Sequence, residues 1–215
     1  MIEPAPPHAG QPVARLGPPL DAARAVVILI HGRNAAPQNI LELVPAIHHP
    51  DVAYLAPAAA GGTWYPLSFM APIEQNEPGI TSGISVVHAL IDESIAAGVG
   101  ADHVMLLGFS QGACLASTAA LRRPDRYGGL LIFSGGLIGP PGSPWNEEGG
   151  FDSTPVFLGC SAHDAHIPES RVHETAAVFE RIGADVTTRI YPGTAHLVTD
   201  DEIVVARDLV DELAS

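Results

Sequence analysis

The stretch "LLGFSQGACLAS", residues 106–117, decides how the chain is read. Gly108-Phe109-Ser110-Gln111-Gly112 fits the pattern G-x-S-x-G. It stands between an apolar run, Val104–Gly108, and a segment with helical spacing, Gln111–Leu121. A strand, a tight turn and a helix are therefore expected, with Ser110 thrust above a sheet in a strained conformation. Glycines at 108 and 112 leave room where side chains would collide with neighbouring backbone. The helix beginning at Gln111 aims unpaired N–H groups beside the serine hydroxyl, where a developing negative charge would sit.

Working outward, apolar runs alternate with longer amphipathic segments, the pattern of strands and helices around a parallel sheet. Strands are expected at Val26–Ile30, Val52–Ala56, Val104–Gly108, Leu130–Ser134, Val156–Cys160 and Thr187–Tyr191, with a weaker one at Val13–Leu16. Several are continuous Val/Ile/Leu runs, as in strands covered on both faces. Helices are expected at Asn39–Ile47, Gly83–Ala97, Gln111–Leu121, Glu169–Ile182 and Asp201–Leu213. No linker divides the chain, so residues 1–215 read as one α/β domain, opened by a Pro-rich segment over residues 1–20.

Ligands and catalytic groups in open parallel sheets gather beyond the carboxyl ends of the strands. Those ends read "HGRN" after Ile30, "FSQG" after Gly108, "SAHD" after Cys160 and "PGTAH" after Tyr191. A serine hydroxyl needs a base, and the base needs an orienting acid. The order Ser, acid, His that accompanies such an elbow selects Ser110, Asp164 and His196. The glycine at 32 turns the backbone toward Ser110, so the backbone N–H of Arg33 pairs with that of Gln111 as oxyanion donors. His31, just before it, reads as a structural residue under this loop. His163, Asp164 and His166, at positions 1, 2 and 4 of a loop, match no common zinc or iron pattern, so no metal is expected.

The bulk numbers exclude several partners. The 215 residues carry 24 acidic and ten basic side chains, a formal net charge of −14, and every basic residue is arginine. Such a surface repels nucleic acid and anionic membrane. The longest apolar run is too short to cross a bilayer. The N-terminus lacks the basic start and apolar stretch of a secretory signal, so a cytoplasmic location is expected. The two cysteines, Cys114 and Cys160, form no C-x-x-C pair and read as small buried thiols.

With "ILIHGRNA", "GTWYPLSF", "LLGFSQGACLA", "FSGGL", "LGCSAHDAHIP" and "YPGTAHLV" in this order, the chain resembles the phospholipase/carboxylesterase family of α/β-hydrolases. That group includes bacterial carboxylesterases and acyl-protein thioesterases. The resemblance runs from about Val26 onward. It implies an α/β-hydrolase fold, a mostly parallel sheet with helices on both faces and no large cap domain. It also implies Ser110 as nucleophile, Asp164 as acid, His196 as base, Arg33 and Gln111 as oxyanion donors, and no cofactor. Many relatives carry a glycine soon after the position of Arg33. Here the run is Arg33-Asn34-Ala35-Ala36, which predicts a stiffer loop, and the arginine side chain at the rim is expected to favour substrates with a remote carboxylate.

Trp64, Tyr65, Phe69 and Met70 are expected to line an acyl pocket, with Leu137, Ile138 and Ile167 on its other side. The expected activity is hydrolysis of small carboxylic esters with short to medium acyl chains, by a monomer or homodimer. Acyl thioesters or lysophospholipids are the alternative substrates. A non-catalytic binding protein on a hydrolase scaffold is disfavoured because all three triad members are kept.

Overall fold

The computed structural model describes residues 4–145 and 148–215. The first three residues of the Pro-rich segment lie outside the described residues. Seven strands form one sheet: β1 (Val13–Leu16), β2 (Ala25–Ile30), β3 (Val52–Pro57), β4 (Val104–Phe109), β5 (Gly129–Phe133), β6 (Pro155–Ser161) and β7 (Asp185–Tyr191). Their order across the sheet is β1-β3-β2-β4-β5-β6-β7. β1 runs antiparallel to β3, and every other pairing is parallel.

The helices are α1 (Pro37–Leu41), α2 (Val44–Ile47), α3 (Gly79–Ala96), α4 (Gln111–Arg122), α5 (Glu169–Arg181) and α6 (Asp200–Leu213). Strand alternation divides them between the two faces. Val26, Ile28 and Ile30 of β2 point into a cluster with Ile84 and Val87 of α3, Leu115 of α4 and Val172 of α5. Ala25, Val27 and Leu29 point the other way, toward Ile40, Val44, Ile47 and Val210. All six residues of β2 are fully buried, and a buried aliphatic side chain of this size contributes about 1.5–3 kcal/mol by leaving water. This double coverage explains why the central strands read as continuous apolar runs.

Two helices differ from the sequence expectation. The segment expected as one helix over Asn39–Ile47 is two short ones. Pro45 has no N–H to give to the preceding turn, and its ring crowds that turn's carbonyls, so the chain breaks at Leu43. α3 begins four residues earlier than expected, at Gly79. A Cβ there would lie 2.6 Å from the carbonyl oxygen of Trp64, so only glycine lets the helix start beneath this residue.

The described part of the Pro-rich start is tied to the body of the fold. Ala5 donates its N–H to Ser85 Oγ at 3.0 Å, and its carbonyl accepts from Ser82 Oγ at 2.6 Å. His8 is buried; its Nε2 donates to Trp64 O at 2.9 Å while Nδ1 accepts from Ala60 N at 3.0 Å. Both ring nitrogens are satisfied in one neutral tautomer, and burial pushes this imidazole below its ordinary pKa. A histidine that the sequence leaves at a terminus thus wedges the N-terminal segment against the loop after β3.

Candidate active site

β4 and α4 meet at Ser110, whose backbone takes φ 55° and ψ −121°. A side-chain-bearing residue held at positive φ is strained and persists only where its surroundings impose it. Two hydrogen bonds and two close backbone approaches at glycines do so here. Ser110 donates its N–H to Phe133 O at 2.9 Å, and its carbonyl accepts from Cys114 N at 3.0 Å. A Cβ on Gly108 would lie 2.5 Å from Gly112 O, and one on Gly112 would lie 2.0 Å from Ile30 O. The glycines therefore let α4 fall directly against β2 and β4, which forces the turn.

Asp164 lies in the loop after β6, and His196 in the loop between β7 and α6. His196 Nδ1 sits 2.6 Å from Asp164 Oδ2, and its Nε2 sits 2.8 Å from Ser110 Oγ. With Nδ1–H donated to the carboxylate, the Nε2 lone pair faces the serine hydroxyl. The Asp164 side chain is fully buried. Its other oxygen, Oδ1, accepts N–H groups from His166 at 2.8 Å and Ile167 at 3.1 Å. Burial alone would raise this carboxyl, but the bonds from His196, His166 and Ile167 together hold it below its ordinary pKa. Both oxygens of Asp164 are thereby engaged.

The His196 loop is tied down at both ends. Ser161 Oγ donates to Ala195 O at 2.6 Å, one residue before the imidazole. At the far end Thr199 caps α6: Thr199 N donates to Glu202 Oε2 at 2.6 Å, and Glu202 N returns a bond to Thr199 Oγ1 at 3.2 Å. The imidazole packs between two rings, Phe109 at 4.9 Å and His166 at 4.7 Å between centroids.

Gly32 and Arg33 line the same cavity as the imidazole. The backbone N–H groups of Arg33 and Gln111 make no hydrogen bond among the described residues, and both residues line one cavity with Ser110. Asn34 answers the missing glycine: it takes φ 57°, the left-handed conformation that asparagine tolerates better than most residues. The turn is made despite the Asn-Ala-Ala run. His31 is buried beneath it, donating Nδ1–H to Gly32 O at 2.8 Å and accepting Ala59 N–H on Nε2 at 3.1 Å.

The cavity measures about 750 Å³. Tyr65, Phe69 and Ile167 line it, together with Phe109, Leu67 and Cys114. Trp64 and Leu137, expected in its wall, are instead fully buried outside its lining. Trp64 donates its indole N–H to His31 O and its backbone N–H to Gln111 Oε1, both at 2.9 Å. Gln111 Nε2 in turn donates to Tyr65 O at 2.8 Å. The Gln111 side chain thus clamps the 64–65 backbone to the elbow. Leu137 O accepts from the buried Arg171 Nη1 at 2.6 Å, which fixes the loop after β5 to α5. Met70 and Ile138 also lie outside the lining. Asn34, Asn39, Ile40 and His166 line it without having been singled out as pocket residues. The first three come from the turn after β2 and the start of α1, which Arg33 ties to Pro66.

A mostly parallel sheet with helices on both faces, and a strained serine between its central strand and a buried helix, define an α/β-hydrolase. The phospholipase/carboxylesterase family model matches residues 12–213, and the chain belongs to that family. The crystal structure of a phospholipase/carboxylesterase from Dyadobacter fermentans superposes with a TM-score of 0.90 at 36% identity, covering 94% of this chain and 96% of that one. Acyl-protein thioesterase 1 of Eremothecium gossypii is 32% identical over 126 residues, 56% of this chain and 52% of that protein. A protein of Oryza sativa subsp. japonica named as a probable carboxylesterase is 28% identical over 140 residues, 64% of this chain and 51% of that protein. The chain spans about half the length of these curated relatives. Among the described residues no helix is long and apolar enough to cross a membrane.

Proposed function

We infer that the protein is a serine carboxylesterase acting on small carboxylic esters. The observation that carries this reading is the unbroken chain of hydrogen bonds from Ser110 through His196 to Asp164. Its Ser110 end shares a cavity with Arg33 and Gln111, whose backbone N–H groups have no partner among the described residues.

In the proposed mechanism His196 Nε2 takes the Ser110 proton as Oγ attacks the ester carbonyl carbon. Asp164 keeps the imidazole in the working tautomer and stabilises the imidazolium that forms. The carbonyl oxygen becomes an oxyanion and accepts the N–H groups of Arg33 and Gln111. When the intermediate collapses, the alcohol leaves with the proton from His196 and Ser110 carries the acyl group. Water, deprotonated by the same nitrogen, attacks that ester, and the acid departs as Ser110 regains its proton. A cavity of about 750 Å³ suits short to medium acyl chains. The free, buried thiols of Cys114 and Cys160 suit a reducing, cytoplasmic setting.

The thioesterase named among the relatives favours a second reading, acyl thioester hydrolysis by the same residues. The test is a p-nitrophenyl ester series from acetate to decanoate beside an acyl thioester of matched chain. Ser110→Ala, expected to lose on the order of 10⁴-fold or more in kcat, is the control. A maximum at short esters supports the carboxylesterase, and faster turnover of the thioester supports the second reading. Absence of Ser110-dependent hydrolysis of every substrate would overturn both.

A further inference from the structure

One wall of the active-site cavity is chemically one-sided. It is built from residues 31–40, the turn after β2 and the start of α1. Its polar side chains are Arg33, Asn34 and Asn39, with His31 beneath them already bonded to backbone through both ring nitrogens. The Arg33 guanidinium is held in place by two bonds to consecutive backbone carbonyls: Nη1 donates to Pro66 O at 2.7 Å, and Nη2 donates to Leu67 O. It also lies over the Tyr65 ring, 5.9 Å from its centroid. Of the five N–H donors of a guanidinium, two are so used; the other three have no partner among the described residues. Both acceptors are neutral, and no carboxylate among the described residues pairs with this charge.

The two asparagines add donors. Asn39 Oδ1 accepts Ala36 N–H at 2.9 Å, and Asn34 Oδ1 accepts the Thr63 hydroxyl at 3.3 Å. Their amide NH₂ groups are what remains to offer. Although 24 of the 215 residues are acidic, none lines this cavity. A fixed cation surrounded by spare N–H donors, in a chain otherwise strongly negative, is suited to a planar anionic acceptor, which a guanidinium meets with two parallel bonds.

We propose that the cavity takes esters bearing a free carboxylate away from the scissile bond, with Arg33 as the side chain that selects them. This rests on the esterase reading above and adds its substrate class. The carboxylate belongs either to the acyl part, as in a hemiester of a dicarboxylic acid, or to the departing alcohol, as in an acylated hydroxy acid. Arg33 thus serves twice, by its backbone N–H at the oxyanion and by its side chain at the substrate's far end.

The experiment compares charged and neutral forms of one skeleton. Monomethyl glutarate against dimethyl glutarate places the charge on the acyl side. 4-Acetoxybutanoate against its methyl ester, followed by acetate release, places it on the alcohol side. For each pair the quantity read is the ratio of kcat/KM, charged over neutral, in the wild-type chain, Arg33→Gln and Asn39→Asp. Arg33→Gln keeps the backbone N–H and removes the charge. Asn39→Asp keeps the acceptor for Ala36 and sets a like charge on the same wall.

In at least one pair the ratio is expected to fall by about tenfold or more in both variants, as befits loss of a charge-assisted bond. The pair that responds identifies the side carrying the carboxylate. Ratios unchanged in both pairs, with neutral esters still hydrolysed, overturn the proposal and leave the esterase reading standing. Failure of the wild-type chain to hydrolyse any of the four esters, or the p-nitrophenyl series, strikes the esterase reading instead.

Discussion

Gly112 rests against the end of β2, so that a methyl group on it would lie 2.0 Å from Ile30 O and 2.6 Å from His31 O. Both neighbours are backbone, and neither can swing aside. Gly112→Ala is expected to push α4 off the sheet and cost about 1–3 kcal/mol or more. In a domain of this size each kcal/mol lowers the thermal midpoint by about 2–4 °C. Melting followed by circular dichroism checks this, and an unaltered midpoint would contradict the close packing. Esterase activity should fall further than stability does, because the same shift moves Ser110 away from His196.

Asp164→Asn separates the orienting role from the fold. The amide oxygen can still accept from the His166 and Ile167 N–H groups, but the anion facing His196 is gone. The kcat is expected to fall by about 10⁴-fold with little change in structure, as when an analogous histidine is left in the wrong tautomer. The same carboxyl bears on stability. Burial would raise it, but its three hydrogen bonds win and hold it low in the folded chain. It therefore stabilises the fold above the ordinary carboxylate range, near about pH 4. That contribution fades as pH falls through the depressed folded value. The stability gap between wild type and Asp164→Asn should narrow on acidification from about pH 6 to about pH 3, read by denaturant melts at each pH. A gap that widens would reverse the sign.

Glu202 makes the opposite prediction. It is buried, Oε2 accepts from Thr199, and Oε1 has no partner among the described residues. Burial raises its pKa, and the Thr199 bonds only partly offset this. A raised folded value means the folded chain holds a proton that the unfolded chain has released. That advantage is complete below the unfolded value, about 4.3, and is lost as pH rises through the folded value. Relative to Glu202→Gln, which keeps an acceptor for Thr199, the wild-type chain should lose stability between about pH 4 and pH 8. Thermal melts across that range test it, and a difference independent of pH would show that the ionised carboxylate carries no penalty.

The central sheet was legible because its strands are buried on both faces, so that Val26–Ile30 and Val104–Gly108 could hardly be anything else. Chain order did the same for the meeting of Ser110, Asp164 and His196: once an elbow is granted, the partners of the proposed triad have few places left. The walls of the cavity were much less legible. Trp64 and Tyr65 are adjacent in an irregular segment, yet only Tyr65 borders the cavity, and nothing local says which. Gln111 makes that choice by clamping their backbone from a distance of more than forty positions in the chain. Asn39 and Ile40, at the start of α1, also border the cavity, and no local pattern marks them as doing so. His8, read as terminal, owes its burial to contacts with Ser82 and Trp64 that no periodicity announces.

Cys114 stands one helical turn beyond Ser110 and borders the same cavity. Burial pushes its thiol up to about 11, despite neighbouring groups that pull it down. At neutral pH only about one molecule in 10⁴ then carries the thiolate, the form that reacts with alkylating reagents. On the proposed mechanism two nucleophilic atoms share one chamber with opposite readiness. Haloacetamides should pass over the sulfur, while serine-directed phosphonates meet an oxygen already hydrogen-bonded to His196, the proposed base. The chamber is therefore suited to active-site titration with a phosphonate, without masking the thiol beforehand.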